Sequence, residues 1–225
     1  MQANAPRFHA PADSRPGDVA WPPMSWPPTS DRELAGGVLV LRPYADGDAA
    51  ELFSALDDDR VWAHVAGRPG TPDALAVSMA LRTALDDPAG RFPWVVRLRT
   101  PMAGLAAGSV VGTSSYLEAS PRDARLEIGF TMYSPAVWGT VVNPQTKLLL
   151  LGHAFDDLGA GRVQLKTDIR NVRSQQAIAR LGATYEGVLR RYQRRADGTV
   201  RDTVLFSVIA EQWPSVRERL EARLE

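Results

Sequence analysis

The sequence predicts an α+β fold of three layers, a mixed and mostly antiparallel sheet flanked by helices. Three observations predict it. Strand-like and helix-like stretches succeed one another as β, α, α, three β, α, β, α, two β, α. From Arg125 to Leu181 a β-rich apolar run passes through a loop into an apolar helix, then into a second strand and a second helix. Near the end of the chain, two alternating runs flank Asp197-Gly198, a hairpin turn.

The elements follow in order. Residues 1–36 carry seven prolines together with Trp21 and Trp26, and read as a separate Pro/Trp-rich arm. Tryptophans seek something to pack on, so part of this arm is expected to dock on the domain or on a partner subunit. Residues 37–225 form the domain. Val38 to Leu41 is the first strand, closed by Arg42-Pro43. Asp46 to Leu56 is a helix, with Ala49, Leu52, Phe53 and Leu56 at helical spacing. Trp62 to Val65 is short and partly buried. Thr71-Pro72 opens a helix from Asp73 to Leu85, which Asp86-Asp87-Pro88 closes. Phe92–Arg99 and Ser109–Leu117 alternate as strands. Arg125–Tyr133 is the central strand, followed by a loop from Ser134 to Asn143. Pro144 suits the first position of a helix, which has no use for an amide hydrogen. Lys147–Phe155 continues that helix, and Gly159 and Gly161 end it. Arg162–Thr167 is a strand, and Asn171–Leu181 a helix that stops at Gly182. Thr184–Arg194 and Val200–Ile209 form the hairpin, and Glu211–Leu224 is an amphipathic terminal helix.

Composition bounds the chemistry. At 225 residues, 44% hydrophobic and 23% charged, the chain suits one globular domain with a large core. It has no cysteine, which removes disulfides, thiolate metal sites and a cysteine nucleophile. Its three histidines, His9, His64 and His153, lie far apart, and no metal is expected. No apolar run approaches the ~20 residues needed to cross a membrane, and the start shows no charged-then-apolar signal pattern. The expected location is therefore cytoplasmic, with no membrane partner. The 26 basic and 26 acidic residues cancel, so global charge does not point to nucleic acid.

The loop before Pro144 delivers free backbone N–H groups at a helix N-terminus, directly after a strand. Such a place suits an anion. Six stretches then carry a resemblance by their order and spacing. They are Glu127-Ile128-Gly129-Phe130, Gly139 through Lys147, Arg162-Val163, Asn171-x-x-Ser174, Leu181-Gly182-Ala183 and Glu186-Gly187-Val188-Leu189-Arg190. Together they resemble the acetyl-CoA-binding core of the GNAT N-acetyltransferases, in the RimJ/RimL-like branch, from about Val38 to Trp213. The resemblance implies that the central strand and the next one splay apart to admit acyl-CoA. It also implies direct transfer of an acetyl group to a primary amine, a protein N-terminus or a small amine. One departure stands in the phosphate loop, usually Gln/Arg-x-x-Gly-x-Gly/Ala. Gly139 fills the first glycine place, but Val141 and Asn143 stand where later glycines are common. The amides can cradle a pyrophosphate if Val141 keeps a negative φ.

Acetyl transfer needs a proton acceptor for the amine, stabilisation of the carbonyl oxygen and a route for the thiolate to leave. Glu127 is the candidate base, two residues before Gly129 on the central strand, with Glu186 in reserve. The tyrosine that many GNAT enzymes use as acid has its place at Ile178 here; the branch offers Ser174 instead. Asn171 is expected to cap its helix and, by resemblance, to bond the pantetheine arm. The carbonyl oxygen is expected at a backbone N–H around Met132, beside a bulge at Thr131. The implied cofactor-binding set is Met132, Tyr133, Trp138, Gly139, Thr140, Val141, Val142, Asn143, Asn171 and Ser174.

Two charge runs remain. Residues 162–201 hold ten basic and three acidic side chains, and could carry a nucleotide phosphate, or RNA. Residues 46–59 hold Asp46, Asp48, Glu51, Asp57, Asp58 and Asp59, which would suit a cationic amine. Two rival readings accompany the enzyme: an acyl-CoA-binding module with weak or lost catalysis, motivated by Val141, Asn143 and Ile178, and an RNA-associated protein. A homodimer is allowed for.

Overall fold

A computed structural model describes residues 9–13, 20–65, 67–80, 90–195 and 197–225. Its elements are β1 (Leu34–Gly36), β2 (Leu39–Pro43), α1 (Ala49–Leu56), α2 (Asp59–Trp62), α3 (Pro72–Ala80), β3 (Phe92–Leu98), β4 (Val110–Ser120), β5 (Arg125–Tyr133), α4 (Val142–Gly152), β6 (Arg162–Asp168), α5 (Val172–Leu181), β7 (Thr184–Arg194), β8 (Val200–Ile209) and α6 (Trp213–Ala222). The eight strands form one sheet in the order β1-β2-β3-β4-β5-β6-β8-β7. Every neighbouring pair is antiparallel except β5 and β6. The element order predicts the mixed sheet, and its mostly antiparallel pairing is what the family resemblance implies.

Alternation along β5, switched by a bulge at Phe130 and Thr131, sorts the two faces. Leu126 and Ile128 join the larger core with Leu150 and Leu151 of α4, Ile178 and Leu181 of α5, and Val216 and Leu220 of α6. Met132 and Phe130 pack instead with Leu52 and Leu56 of α1 and Leu75 and Met79 of α3. Helices α4, α5 and α6 therefore cover one face, and α1 and α3 the other. Glu127 and Gly129 point to the α1 side.

The structure differs from the sequence reading at several boundaries. Leu34–Gly36 pairs with Leu39–Leu41, so the sheet begins inside residues 1–36. A three-residue edge strand is too short for periodicity to reveal. Helix α4 starts at Val142, which makes Pro144 its third residue. That position tolerates proline equally well, since the first turn of amides has no partner within the helix. Beyond Gly152 the helix widens into a π-helical turn over His153–Asp157. Thr71 Oγ1 accepts from the Ala74 amide and caps α3, as predicted; residues 81–89, with the expected end of that helix, lie outside the described residues.

The arm docks. Met24 is buried, and its amide donates to Pro121 O, while the Ser25 amide donates to Leu158 O. The Trp26 ring meets Phe92 and Tyr116 edge-on, both at 6.2 Å. Trp26→Ala removes that contact from the edge of the main core and should destabilise the fold by about 2–3 kcal/mol, less than a fully buried tryptophan. The shift in a urea midpoint measures it; an unchanged midpoint would mean that the arm is an ornament of the fold.

Candidate active site

The site is built by a fork in the sheet. Strands β5 and β6 pair only through Arg125↔Arg162, Leu126↔Val163 and Glu127↔Gln164. Both continue past this point, β5 to Tyr133 and β6 to Asp168, without bonding each other. Two features drive them apart. A bulge sets Phe130 and Thr131 opposite Ser114, with Phe130 at φ +47°. On the other side β6 follows its antiparallel partner β8 over its whole length. The sequence expectation placed the bulge at Thr131; it spans Phe130 and Thr131.

At the open end of the fork stands the N-terminus of α4. Gly139 has φ +77°, and a Cβ there would meet nothing within 4 Å. Val141 has φ −70° and ψ −10°, so the valine sits in ordinary right-handed backbone and the condition on that departure is met. Thr140 Oγ1 accepts from the Val142 amide, and the first backbone bond of the helix runs from Gln145 N to Val141 O. The amides of Val141 and Asn143 have no partner among the described residues. A free amide pair at a helix N-terminus beside a left-handed glycine fits a pyrophosphate, the polar centre of an acyl-CoA.

Trp138 fixes the loop before it. Its Nε1 donates to Tyr133 O. The guanidinium of Arg173, from the first turn of α5, lies 3.9 Å from the centre of its ring, and that of Arg60 lies 5.5 Å away. Trp138 and Arg173 thus link the two sides of the open fork. Tyr133 and Met132 are buried, one in each core. Asn171 caps α5, its Oδ1 accepting from the Ser174 amide at 3.0 Å. Ser174 is half-buried in that first turn, on the α4 and α5 side of the sheet. Ile178 is core.

Glu127 sits at the point of the fork, 6% exposed. Its Oε2 pairs with Lys166 Nζ at 2.8 Å and accepts from Gln164 Nε2 at 3.4 Å. Its Oε1 has no partner among the described residues. That oxygen folds back over Gly129, where a Cβ would come within 2.6 Å of it, so glycine is what lets the carboxylate lie there. Burial raises the Glu127 pKa, and Lys166 opposes the rise. Lys166 also binds Glu118 at 2.6 Å, and its own pKa is pushed upward; burial opposes that shift and the two carboxylates outweigh it. Glu118 has φ +47° and reaches this cluster from an irregular stretch of β4. Neither Glu118 nor Lys166 was singled out from sequence as part of the site. Glu186, the reserve base, is committed elsewhere. Arg162 holds it through two 2.6 Å bonds, Ser207 Oγ donates to it, and its pKa is lowered. It stays ionised and occupied.

Five of the six carboxylates in residues 46–59 are also committed, and Asp46 is the sixth, with no ion pair among the described residues. Arg97 binds Asp48 and Glu51, Arg60 binds Asp58, and Arg68 binds Asp57 and Asp59. The expectation that this run would suit a cationic acceptor is corrected for all but Asp46: the arginines that neutralise the other five come from outside the run or its end, and pairing is a matter of three dimensions.

The comparisons agree with this geometry. A family model described as an acetyltransferase (GNAT) domain matches residues 39–184. The chain is 24% identical over 172 residues to the uncharacterized N-acetyltransferase YoaA of Bacillus subtilis (strain 168), covering 76% of this chain and 93% of that protein. A crystal structure described as a probable acetyltransferase of the GNAT family, from Chromobacterium violaceum ATCC 12472, is 28% identical, with TM-score 0.79 over 92% of this chain and 100% of that one. Mycobacterium smegmatis RimJ in complex with CoA-disulfide shares the fold at 21% identity, with TM-score 0.67 over 89% of this chain and 92% of that one. Among the described residues no helix is long and apolar enough to cross a membrane. With a family model spanning well over half of its length and a forked sheet to match, the chain belongs to the GNAT family of N-acetyltransferases.

Proposed function

We propose that this protein moves an acetyl group from acetyl-CoA directly to a primary amine, either a protein N-terminus or a small amine. The observation that carries the reading is the fork, with free amides at its open end and a buried carboxylate at its point. The pyrophosphate would lie on the amides of Val141 and Asn143, flanked by Gly139, Thr140 and Val142. The pantetheine arm would run between β5 and β6, past Trp138, Tyr133 and Asn171. The thioester would then reach the bulge, where the backbone near Met132 offers an N–H to the carbonyl oxygen. The amine would enter on the α1 side, where Glu127 Oε1 has a lone pair to take its proton. Lys166 holds the other oxygen and keeps the carboxylate in place.

The test is release of CoA thiol from acetyl-CoA over a broad panel of amines, including peptides with free N-termini. Release with some amines supports the reading. Stabilisation by acetyl-CoA without release over the whole panel would replace it with a binding module. Ser174 is proposed as a hydrogen-bond donor to the leaving sulfur. Ser174→Ala should lower turnover about tenfold while changing the affinity for acetyl-CoA little, because the bond forms as charge develops on sulfur. If kcat is unchanged, Ser174 is only a first-turn helix residue.

A further inference from the structure

Lys147 is the buried titratable group that this mechanism leaves unused. It lies in α4, is 5% exposed, and makes no ion pair among the described residues. Among the described residues its Nζ reaches two hydroxyls only, Thr131 Oγ1 at 2.7 Å and Ser114 Oγ at 3.2 Å, which themselves lie 2.8 Å apart. An amine without a carboxylate in such a place is strongly disfavoured in its charged form. Burial brings its pKa down to about 7, and Glu127 on β5 is the charged group that raises it in part. The other titratable groups nearby on packed elements are Tyr133 of β5 and, deeper on the same side, Tyr116 of β4 and His153. Burial raises both tyrosines and lowers His153 to about 4, so all three are neutral at pH 7. Thr131 is half-buried and belongs to the bulge, where β5 has already parted from β6.

We propose that Lys147 is the proton source for the departing thiolate, acting through the hydroxyl of Thr131 at the bulge. The inference rests on the acetyl-transfer reading above. As the C–S bond breaks, its electron pair goes to sulfur. The Thr131 hydroxyl proton moves to sulfur, and a proton of the Lys147 ammonium moves to Thr131 Oγ1. The proton lost by the acceptor nitrogen goes to Glu127. Lys147 ends neutral and Glu127 protonated, and water carries the proton back between turnovers. Ser174 can hydrogen-bond the sulfur, but among the described residues no group bonded to its hydroxyl resupplies a proton. Thr131 thus delivers the proton to the sulfur that Ser174 hydrogen-bonds, and Lys147 acts through it.

The test uses the full chain with acetyl-CoA and an amine found active in the panel. Turnover of the parent should fall on the alkaline side as Lys147 loses its proton. In Lys147→Met that descending limb should vanish, with kcat near neutral pH lower by about 10–100-fold and KM for acetyl-CoA within about threefold. Thr131→Val, which keeps Lys147 and leaves the core intact, should give the same profile, and the double variant should be no worse than either single one. A folded Lys147→Met or Thr131→Val that keeps the parent's descending limb overturns the proposal. So do additive losses in the double variant. A parent that releases no thiol with any amine overturns the underlying reading as well, and is told apart by that alone.

Discussion

Glu127→Gln should cut turnover by about 10²–10⁴-fold near neutral pH, and by less at high pH. Glutamine keeps the size and can still accept from Gln164 or bond Lys166, but it has no basic lone pair for the amine proton. The parent's acid limb follows from the burial of Glu127. Its pKa is raised, and below that pKa the carboxyl is protonated and cannot act. Activity should therefore fall as pH drops, at a pH above the ordinary carboxylate range, and this limb should be missing in the variant. At high pH more of an amine with pKa ~10.4 is already neutral, so the base matters less. The fold should survive, because Lys166 keeps Glu118 at 2.6 Å. Glu186→Gln is the control. It breaks a half-exposed pair with Arg162 and should leave the pH profile alone. A Glu127→Gln profile that parallels the parent, with a small uniform loss, would return Glu127 to the role of a structural partner of Lys166.

Gly139→Val should abolish the stabilisation that acetyl-CoA gives the parent. At a ligand concentration of about 100 Kd that stabilisation is ~2.7 kcal/mol, read as a rise in melting temperature. Two causes act together. At φ +77° a β-branched residue is strained by roughly 1–2 kcal/mol and would pull the loop toward negative φ. The added methyl groups would also project into space that is open in the free protein, where a phosphate must come close to the amides. Gly139→Ala carries the same strain with less bulk and should give an intermediate shift. Adenine nucleotides that lack pantetheine should stabilise the parent less than acetyl-CoA does, since they leave the fork unfilled. An undiminished shift in Gly139→Val would move the phosphate site away from this loop.

The sequence by itself determined the longer elements and their order, though not the short β1 and α2. Period-2 and period-3.6 patterns are local, and so are Asn171 as a cap, Gly182 as a stop and Asp197-Gly198 as a turn. That is why β5, β7 and β8 were legible to the residue and α5 nearly so. The family signature likewise lies in short motifs at fixed spacing. The site was legible only in outline, since ion pairs and hydrogen bonds join residues far apart in the chain. Glu127 and Gly139 could be picked out, but not the partners that set their chemistry. Lys166 reaches Glu127 from the neighbouring strand, and Glu118 arrives 48 residues away from Lys166 because a backbone twist turns it inward. Glu186 lost its candidacy to Arg162 across the sheet, and five of the six carboxylates in residues 46–59 lost their free charge to arginines. Lys147 read as one residue of an apolar helix. Only the packing of α4 against the β5 bulge removed its water and left it two hydroxyls, and desolvation is a property that no local pattern encodes.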